Sequence, residues 1–331
     1  MQNLTSILKR IVGRFNAKDQ QTAPEKVFVA AFGKHPGWDD HIDDIGLETD
    51  VLIAAKRILY VQGVGANIDC GSWEKLLPDQ RLEAFRHLFL WRMNDTILLG
   101  RMWSSQDGKG RRSYPMVVCA QFPKLPLDWL FHNILPALEK IEETCLRTVL
   151  PEEVKTVLAD AQRDFRDMLQ QVQPSQLQAA LPDVLADLAE RPEMGPDRQG
   201  LLRILYHIER EVTRYQSEAG KGRSLRATLL RVPVEPSVGP QTTLLWMNFL
   251  LGRLDKDVPV LALMPLDESW IDIIIGEPAD AQLYCLRASQ KMIPLTSDIP
   301  YNMGDEFIER TTRFIEQSRA LKTPPNDSPH A

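Results

Sequence analysis

The chain has 331 residues, of which 44% are hydrophobic and 25% are charged. This composition supports a packed core and excludes a disordered or collagenous chain. A net charge of -6 and a pI of about 5.6 argue against a general nucleic-acid binder, because phosphate binding requires clustered Lys and Arg.

The cysteines and the apolar runs predict a cytoplasmic location. The four cysteines are widely spaced and form no CxxC pair, so neither a disulfide framework nor a zinc ribbon is indicated. The chain lacks an unbroken apolar run of about 18 residues and the pattern of a secretory signal. We therefore expect a protein that stays in the reducing compartment where it is made.

The first 23 residues are predicted to form an amphipathic helix and a linker. Residues 4–15 place apolar side chains at helical spacing, with Lys9, Arg10 and Arg14 between them. Such a helix suits peripheral contact with a membrane surface, and a terminal helix packed on its own domain has the same pattern. At the other end, residues 322–331 are rich in proline and polar side chains, which predicts a disordered tail.

The next segment predicts three strands and two helices. The run KVFVAAF begins at Lys26 and is closed by Gly33, which is typical of a buried strand. Helices are predicted over residues 49–60 and 78–91. Strands over residues 96–103 and 114–121 flank the loop SSQDGKGRRS and predict an antiparallel hairpin. Both faces of the second strand should be covered by helices, because residues 116–120 are all apolar.

The remainder alternates between long helical stretches and short strands. A helix is predicted over residues 127–150 with a kink at Pro136, and the region 152–191 continues as two helical stretches interrupted near Pro174 and Pro182. The further predictions are helices over residues 198–215, 242–254 and 305–320, a strand over 225–232, a hairpin of 258–264 with 270–275, and a short strand over 284–287. We predict a single α/β domain over residues 24–321 with a largely antiparallel sheet and a helical insertion at about 151–220.

The segment HPGWDDHIDD, residues 35–44, holds two histidines and four carboxylates. A metal-dependent hydrolase using His35, His41 and the neighbouring carboxylates is one hypothesis for this segment. The HxHxDH pattern of metallo-hydrolases is absent, since Pro36 and Trp38 stand where its histidines belong. The alternative is a Pro-Gly turn followed by acidic residues that begin a helix.

Other signatures of catalysis and of cofactor binding do not match. The GKG triplets lack the order of a phosphate-binding loop, GVGANIDCG lacks the third glycine of a dinucleotide loop, and no GxSxG elbow occurs. We therefore expect no cofactor. Arg111 or Arg112 is predicted to form an ion pair with Asp39, Asp40 or Asp43, or else to bind a partner's phosphate or carboxylate. An exposed Trp38 would suit an anchor in a protein interface.

Two motifs together resemble the TagF (ImpM) family of type VI secretion proteins. FGKHPGWDD precedes DGKGRRSYPM by roughly seventy residues, as a YGKxPxxGDF-like turn precedes a DRVGRxFPL-like strand in that family. The helix TTLLWMNFLLG and the following strand resemble a later family segment more weakly. Asp39 and His41 depart from the family pattern. The matching residues, with Trp38 added as an interface candidate, are Gly33, Lys34, Pro36, Trp38, Asp40, Asp107, Gly110, Arg111, Tyr114, Pro115 and Trp246.

The resemblance implies a three-layer α/β/α sandwich with a mainly antiparallel sheet. It also implies a noncatalytic regulator that represses type VI secretion after translation, acting through a forkhead-associated (FHA) scaffold protein. The partner would then be this scaffold or another secretion-system component. The metal-dependent hydrolase and a membrane-peripheral scaffold using residues 4–15 stay as alternatives.

Overall fold

A computed structural model describes residues 26–171, 184–194, 198–218 and 225–322. Its centre is a seven-stranded sheet in the order β1-β4-β3-β2-β6-β7-β5, and every neighbouring pair is antiparallel. The strands are β1 (Phe28–Gly33), β2 (Arg86–Met93), β3 (Thr96–Ser104), β4 (Pro115–Pro123), β5 (Thr228–Pro233), β6 (Val260–Pro265) and β7 (Trp270–Ile275).

Helices cover both faces of this sheet. The helices are α1 (Asp50–Ala55), α2 (Ala66–Asp69), α3 (Leu127–Asn133), α4 (Leu135–Arg147), α5 (Pro151–Gln171), α6 (Val184–Ala189), α7 (Gln199–Glu218), α8 (Gly239–Leu251), α9 (Asp280–Leu283) and α10 (Asp305–Lys322). Helices α3 to α8 and α10 pack on one face, called here the first face, and the α1 region packs on the second face. The predicted α/β/α sandwich is confirmed.

The alternation of side chains along β4 shows why two apolar layers form. Met116 and Val118 contribute to the core of the first face, whereas Val117 and Cys119 contribute to the core of the second face. Successive side chains of a strand point to opposite faces. An unbroken apolar strand therefore requires a helical layer on each side, as predicted.

The helix predicted over residues 78–91 is wrong. The structure has a single 3-10 turn at Pro78–Gln80, followed by β2. Leu88 faces the first layer and Phe89 the second, so the strand is apolar on both sides and has no period-two pattern. Pairing of β2 with both β3 and β6 decides the conformation, because a short apolar run fits helix and strand equally well.

Two smaller predictions also need correction. Residues 284–287 form a 3-10 turn, Tyr284–Leu286, instead of a strand. The helix predicted over residues 127–150 is two helices, since the chain breaks at Ile134 and Pro136 lies in the first turn of α4. Proline fits a first turn because its missing N–H has no partner there in any case. The hairpins β3–β4 and β6–β7 are confirmed.

The helix that begins with α1 continues well beyond its predicted end. The Thr49 hydroxyl caps it by accepting the Leu52 N–H at 3.2 Å, and a ten-residue π-helical segment, Lys56–Gly65, joins α1 to α2. By length and composition the run Asp50–Asp69 could cross a membrane, but half of its apolar window is buried in the protein. A core helix passes the same test.

Several predictions fall outside the described residues. These are the amphipathic helix at 4–15 with its linker, the interruptions at Pro174 and Pro182, and nearly all of the tail at 322–331.

Candidate functional site

The first motif loop leaves the sheet at Gly33, the last residue of β1. Gly33 has φ of +110°, and a Cβ built there would lie 2.2 Å from the Pro115 carbonyl oxygen of β4, so both the conformation and the space require glycine. The Lys34 amide then donates to that carbonyl at 3.1 Å, and the Ile42 amide donates to the Gly33 carbonyl at 2.8 Å. These bonds close residues 34–41 into a loop at the rim of the sheet.

The second motif loop, between β3 and β4, is organised around Asp107, whose side chain is fully buried. Its carboxylate accepts four hydrogen bonds: from Lys34 Nζ at 2.6 Å, from Arg111 Nε at 2.7 Å, and from the Lys109 and Arg111 amides at 3.0 Å each. Burial by itself would raise the pKa of Asp107, but the bonds from Lys34 and Arg111 outweigh it and lower that pKa far below its usual range. Asp107 is therefore an ionised anchor for the two loops.

Arg111 completes the connection between the loops. Its Nη2 lies 3.1 Å from Asp40 Oδ1 and donates to the Asp39 carbonyl at 3.0 Å, and the Gly108 amide donates to the Trp38 carbonyl at 2.6 Å. The predicted ion pair between an arginine of this loop and the acidic segment is confirmed for Arg111. Arg112 instead donates to Gln106.

Asp40 is the solvent-facing acid of this cluster, with 62% of its side chain exposed. Its slight burial would raise its pKa, but the positive charge of Arg111, helped by His41 and Lys34, lowers it. Lys34 Nζ lies 3.7 Å from Asp40 Oδ1 and only 2.6 Å from Asp107. The Lys34 ammonium is thus held mainly by the buried carboxylate, and Asp40 faces water.

An aromatic cluster borders these ion pairs. The His41 ring lies 5.2 Å from Tyr114 and 5.8 Å from Tyr60, measured between ring centroids, and Lys34 Nζ lies 5.9 Å from the Tyr114 centroid. Tyr60 belongs to the π-helical segment, and its buried hydroxyl has no hydrogen-bond partner among the residues that the structure describes. The position of Tyr60 was not predicted, because nothing in the pattern of residues 49–60 indicates a π-helix.

His35 and His41 lie in different surroundings and do not form a metal site together. The buried His35 ring accepts the Gly37 amide at Nδ1, at 3.1 Å, and therefore donates from Nε2 to the Cys145 carbonyl at 2.9 Å. Both of its nitrogens are engaged, and burial lowers its pKa, although the bond to Cys145 opposes this. Within the described ranges, no three His, Cys, Asp or Glu side chains are grouped as metal ligands. The geometry gives the metal hypothesis no support.

Some of the predicted interaction residues are structural. Trp246 on α8 is fully buried, and Gly33 and Pro115 are buried within the joint between β1 and β4, so none of the three offers its side chain to a partner. Trp38 is half-buried: its ring packs beside His35 and on the core of the first face, and its Nε1 donates to Asp43 at 3.3 Å. The solvent-facing part of the site is formed by Trp38, Asp39, Asp40, Lys109 and Arg111, and is called here the motif rim.

A second ionic cluster lies at the opposite half of the sheet. Arg231 on β5 pairs with Asp272 on β7 through two bonds of 2.7 Å, and both side chains are almost completely buried. The guanidinium also donates to the Ala288 and Ile293 carbonyls and lies 4.5 Å from the Trp270 ring centroid. Burial raises the pKa of Asp272, although Arg231 opposes this. These contacts hold the segment after β7 against the sheet, and the cluster is called here the buried clamp.

The fold and the motif rim together define an antiparallel α/β/α sandwich in which two motif loops are joined by buried ion pairs. A scan against protein-family models gives no match to this chain. A search of curated proteins also gives no match.

Proposed function

We propose that this chain is a noncatalytic, cytoplasmic regulatory adaptor, similar to TagF (ImpM) proteins, of a bacterial type VI secretion system. It restrains the machine after translation by binding a component, and an FHA-domain scaffold is the first candidate. The observation that carries this proposal is the joining of the GKHPGWDD and DGKGRRSYP loops through Lys34, Asp107 and Arg111. These loops hold the motif residues that resemble the family.

The chemistry of the two motif loops supports binding more than catalysis. The Asp107 carboxylate already accepts four hydrogen bonds, and its pKa is far below the range of a general acid or base. Lys34 is held by Asp107. The solvent-facing groups of the motif rim, in contrast, include the half-buried Trp38 and the exposed Arg111. Tryptophan and arginine are both enriched at the centres of protein interfaces.

The test is recovery of partners from the native cells with the tagged full-length chain, followed by mass spectrometry. We expect an FHA-domain scaffold or another secretion-system component with the wild-type chain. Arg111→Ala should reduce this recovery by about tenfold, the effect of a moderate hot-spot residue. Recovery of no secretion-system component by the wild-type chain would overturn the proposal.

Arg86→Ala is the matched control for Arg111→Ala. The Arg86 side chain is 56% exposed and pairs with Asp267 at 2.6 Å, whereas Arg111 is 51% exposed and pairs with Asp40 at 3.1 Å. Arg86 begins β2 and lies outside the motif loops. Equal losses of partner recovery in the two variants would show that a general change in surface charge is responsible. The motif rim would then not be the binding surface.

A further inference from the structure

A groove opens at the turn between α4 and α5, next to the first motif loop. Its volume is about 470 Å³, and it is lined by Thr144, Arg147, Thr148, Val149, Leu150 and Glu153. The motif loop contacts this turn directly. His35 donates to the Cys145 carbonyl, and a Cβ built on Gly37 would lie 2.8 Å from the Val149 carbonyl oxygen. The groove and the motif loop therefore form one continuous surface.

Exposed apolar side chains are concentrated at this turn. In the described part of the chain eight large apolar side chains are exposed, and three of them lie within residues 146–150: Leu146, Val149 and Leu150 are 60%, 62% and 54% exposed. Single exposed apolar residues are common on protein surfaces, whereas a cluster marks a place where another molecule binds. Leu146 directly precedes the lining residue Arg147 but does not itself line the groove. The turn thus has both a groove and an apolar side chain that could enter a groove.

The groove is lined by one positive and one negative side chain. Arg147, in the last turn of α4, donates to the Glu143 backbone carbonyl at 3.1 Å, and Glu153 lies in the first turn of α5. Neither forms an ion pair with any residue that the structure describes, whereas Glu152 is paired with Lys155 at 2.8 Å. The groove therefore favours neither a purely acidic nor a purely basic partner. It suits a surface that carries the same two charges in the reverse order.

A second copy of this chain carries such a surface. In a two-fold dimer both copies use the same patch, so each contact between two different residues occurs twice, once in each direction. With the axis at the α4–α5 turn, Arg147 of each copy can face Glu153 of the other, and the exposed apolar side chains can meet between the two ion pairs. An apolar centre with a charged edge is the usual arrangement of a protein interface.

We propose that the α4–α5 turn is a dimer interface, in which Arg147 of each copy pairs with Glu153 of the other and the apolar side chains at residues 146–150 are covered. The surface of one turn is at the small end of interface sizes, so we expect a reversible dimer with a dissociation constant of about 10 μM. Because Val149 adjoins Gly37, the second copy would border the first motif loop. This inference stands independently of the proposed function, because it concerns only contact between copies of the chain.

The first test is sedimentation equilibrium of the purified full-length chain, as wild type and as Leu150→Asp. Leu77→Asp is the matched control. Leu77 is also 60% exposed, and it follows Leu76, which packs on the second face, whereas α4 and α5 pack on the first face. The two variants therefore make the same change of charge on opposite sides of the sheet.

We expect Leu77→Asp to dimerise like the wild type, and the dissociation constant of Leu150→Asp to rise at least about tenfold, because the dimer would bury its carboxylate among apolar groups. Equal constants in the two variants would overturn the inference. A wild-type chain that is still monomeric at about 0.1 mM would also overturn it. If such a monomer lost partner recovery in Leu150→Asp, the occupant of the groove would be a partner protein in place of a second copy.

The second test is an exchange of charge between Arg147→Glu and Glu153→Arg. Each variant alone should dimerise at least about tenfold more weakly than the wild type, because both ion pairs become contacts between like charges. In an equimolar mixture each new charge faces a charge of opposite sign in the other chain, so the mixed dimer should form about as tightly as the wild-type dimer. A folding defect in either variant would not be repaired by mixing. A mixture that associates no better than the separate variants would overturn the inference.

Discussion

The motif rim and the buried clamp use similar ion pairs for different purposes. In the clamp, Arg231 and Asp272 are enclosed on all sides, and the guanidinium satisfies two backbone carbonyls besides its carboxylate. At the motif rim, Arg111 and Asp40 are more than half exposed, and the enclosed Asp107 lies beneath them. A cluster without exposed groups can serve only the fold, whereas one that extends from a buried anchor to solvent can also present charge to a partner.

Breaking the buried clamp should have the largest effect on stability. In Arg231→Leu, the almost completely buried Asp272 carboxylate loses its counter-ion, so we expect the free energy of unfolding to fall by about 3–5 kcal/mol. Urea denaturation monitored by tryptophan fluorescence gives this value. The exposed pair of Arg86 and Asp267 is the control, and its Arg86→Ala variant should lose about 0.5 kcal/mol. Similar losses in the two variants would contradict the comparison.

The backbone under the motif rim should be nearly as sensitive. In Gly33→Ala the new Cβ meets the Pro115 carbonyl at a positive φ, so we expect a loss of about 3 kcal/mol together with a disturbed rim. Gly110→Ala is the matched control, because Gly110 also has a positive φ, of +79°, but no atom within 4 Å of its Cβ position. It should lose only about 1 kcal/mol, and the thermal unfolding of both variants measures the difference.

Acidification should weaken the clamp region through His87, a buried residue of β2. Burial, together with the charges of Arg231 and Arg287, lowers the pKa of His87 from 6.5 to about 3. Below pH 6.5 the unfolded chain therefore binds a proton that the folded chain does not bind, so stability falls as the pH falls. This residue should account for about 2 kcal/mol of the loss between pH 7 and pH 5.

His87→Gln should remove that part of the pH dependence. His132→Gln, on the exposed side of α3, should keep the wild-type profile. Urea midpoints measured across this pH range test both variants. His35 contributes to the wild-type loss in the same direction, because burial lowers its pKa too, so some dependence should remain in His87→Gln.

The smallest effect is expected at Asp40, on the motif rim, and Asp107, the buried anchor beneath the rim, is its comparison. Asp107→Asn should lower the melting temperature, because the Lys34 ammonium loses its closest negative partner. Asp40→Asn should leave the melting temperature unchanged, because Asp40 faces water and Asp107 still holds Lys34 and Arg111. Differential scanning calorimetry can measure both, and a larger drop for Asp40→Asn would reverse the roles assigned to the two carboxylates.

Most of the sandwich could be predicted from short-range patterns. Alternation, turn residues and unbroken apolar runs indicate β1, β3, β4 and the β6–β7 hairpin. The sequence of β2 could not be assigned in this way, because β3 and β6 pair with both of its edges and helical layers cover both of its faces. The π-helical segment leaves no signal in hydrophobic periodicity, so the position of Tyr60 beside Tyr114 was not predictable.

The residues of the candidate site could be predicted from the two motifs, but only some of the contacts between those residues could. Opposite charges in two loops at one end of neighbouring strands led to the pairing of Arg111 with the acidic segment. The buried bond between Lys34 and Asp107 was not predicted, since burial of a lysine depends on the path of both loops. Trp246 shows the opposite error. It matches the family pattern and was predicted to take part in an interaction, but it is fully buried in the core.

The pairing of β2 with β6 has a consequence for synthesis of the chain on the ribosome. β2 emerges early, and β3 can pair with one of its edges at once, but its other edge pairs with a strand from the last third of the sequence. Until β6 emerges, the nascent sheet exposes an apolar edge that can pair with another chain. Translation of residues 124–259 therefore prolongs the interval in which this edge of β2 is open to pairing with another chain.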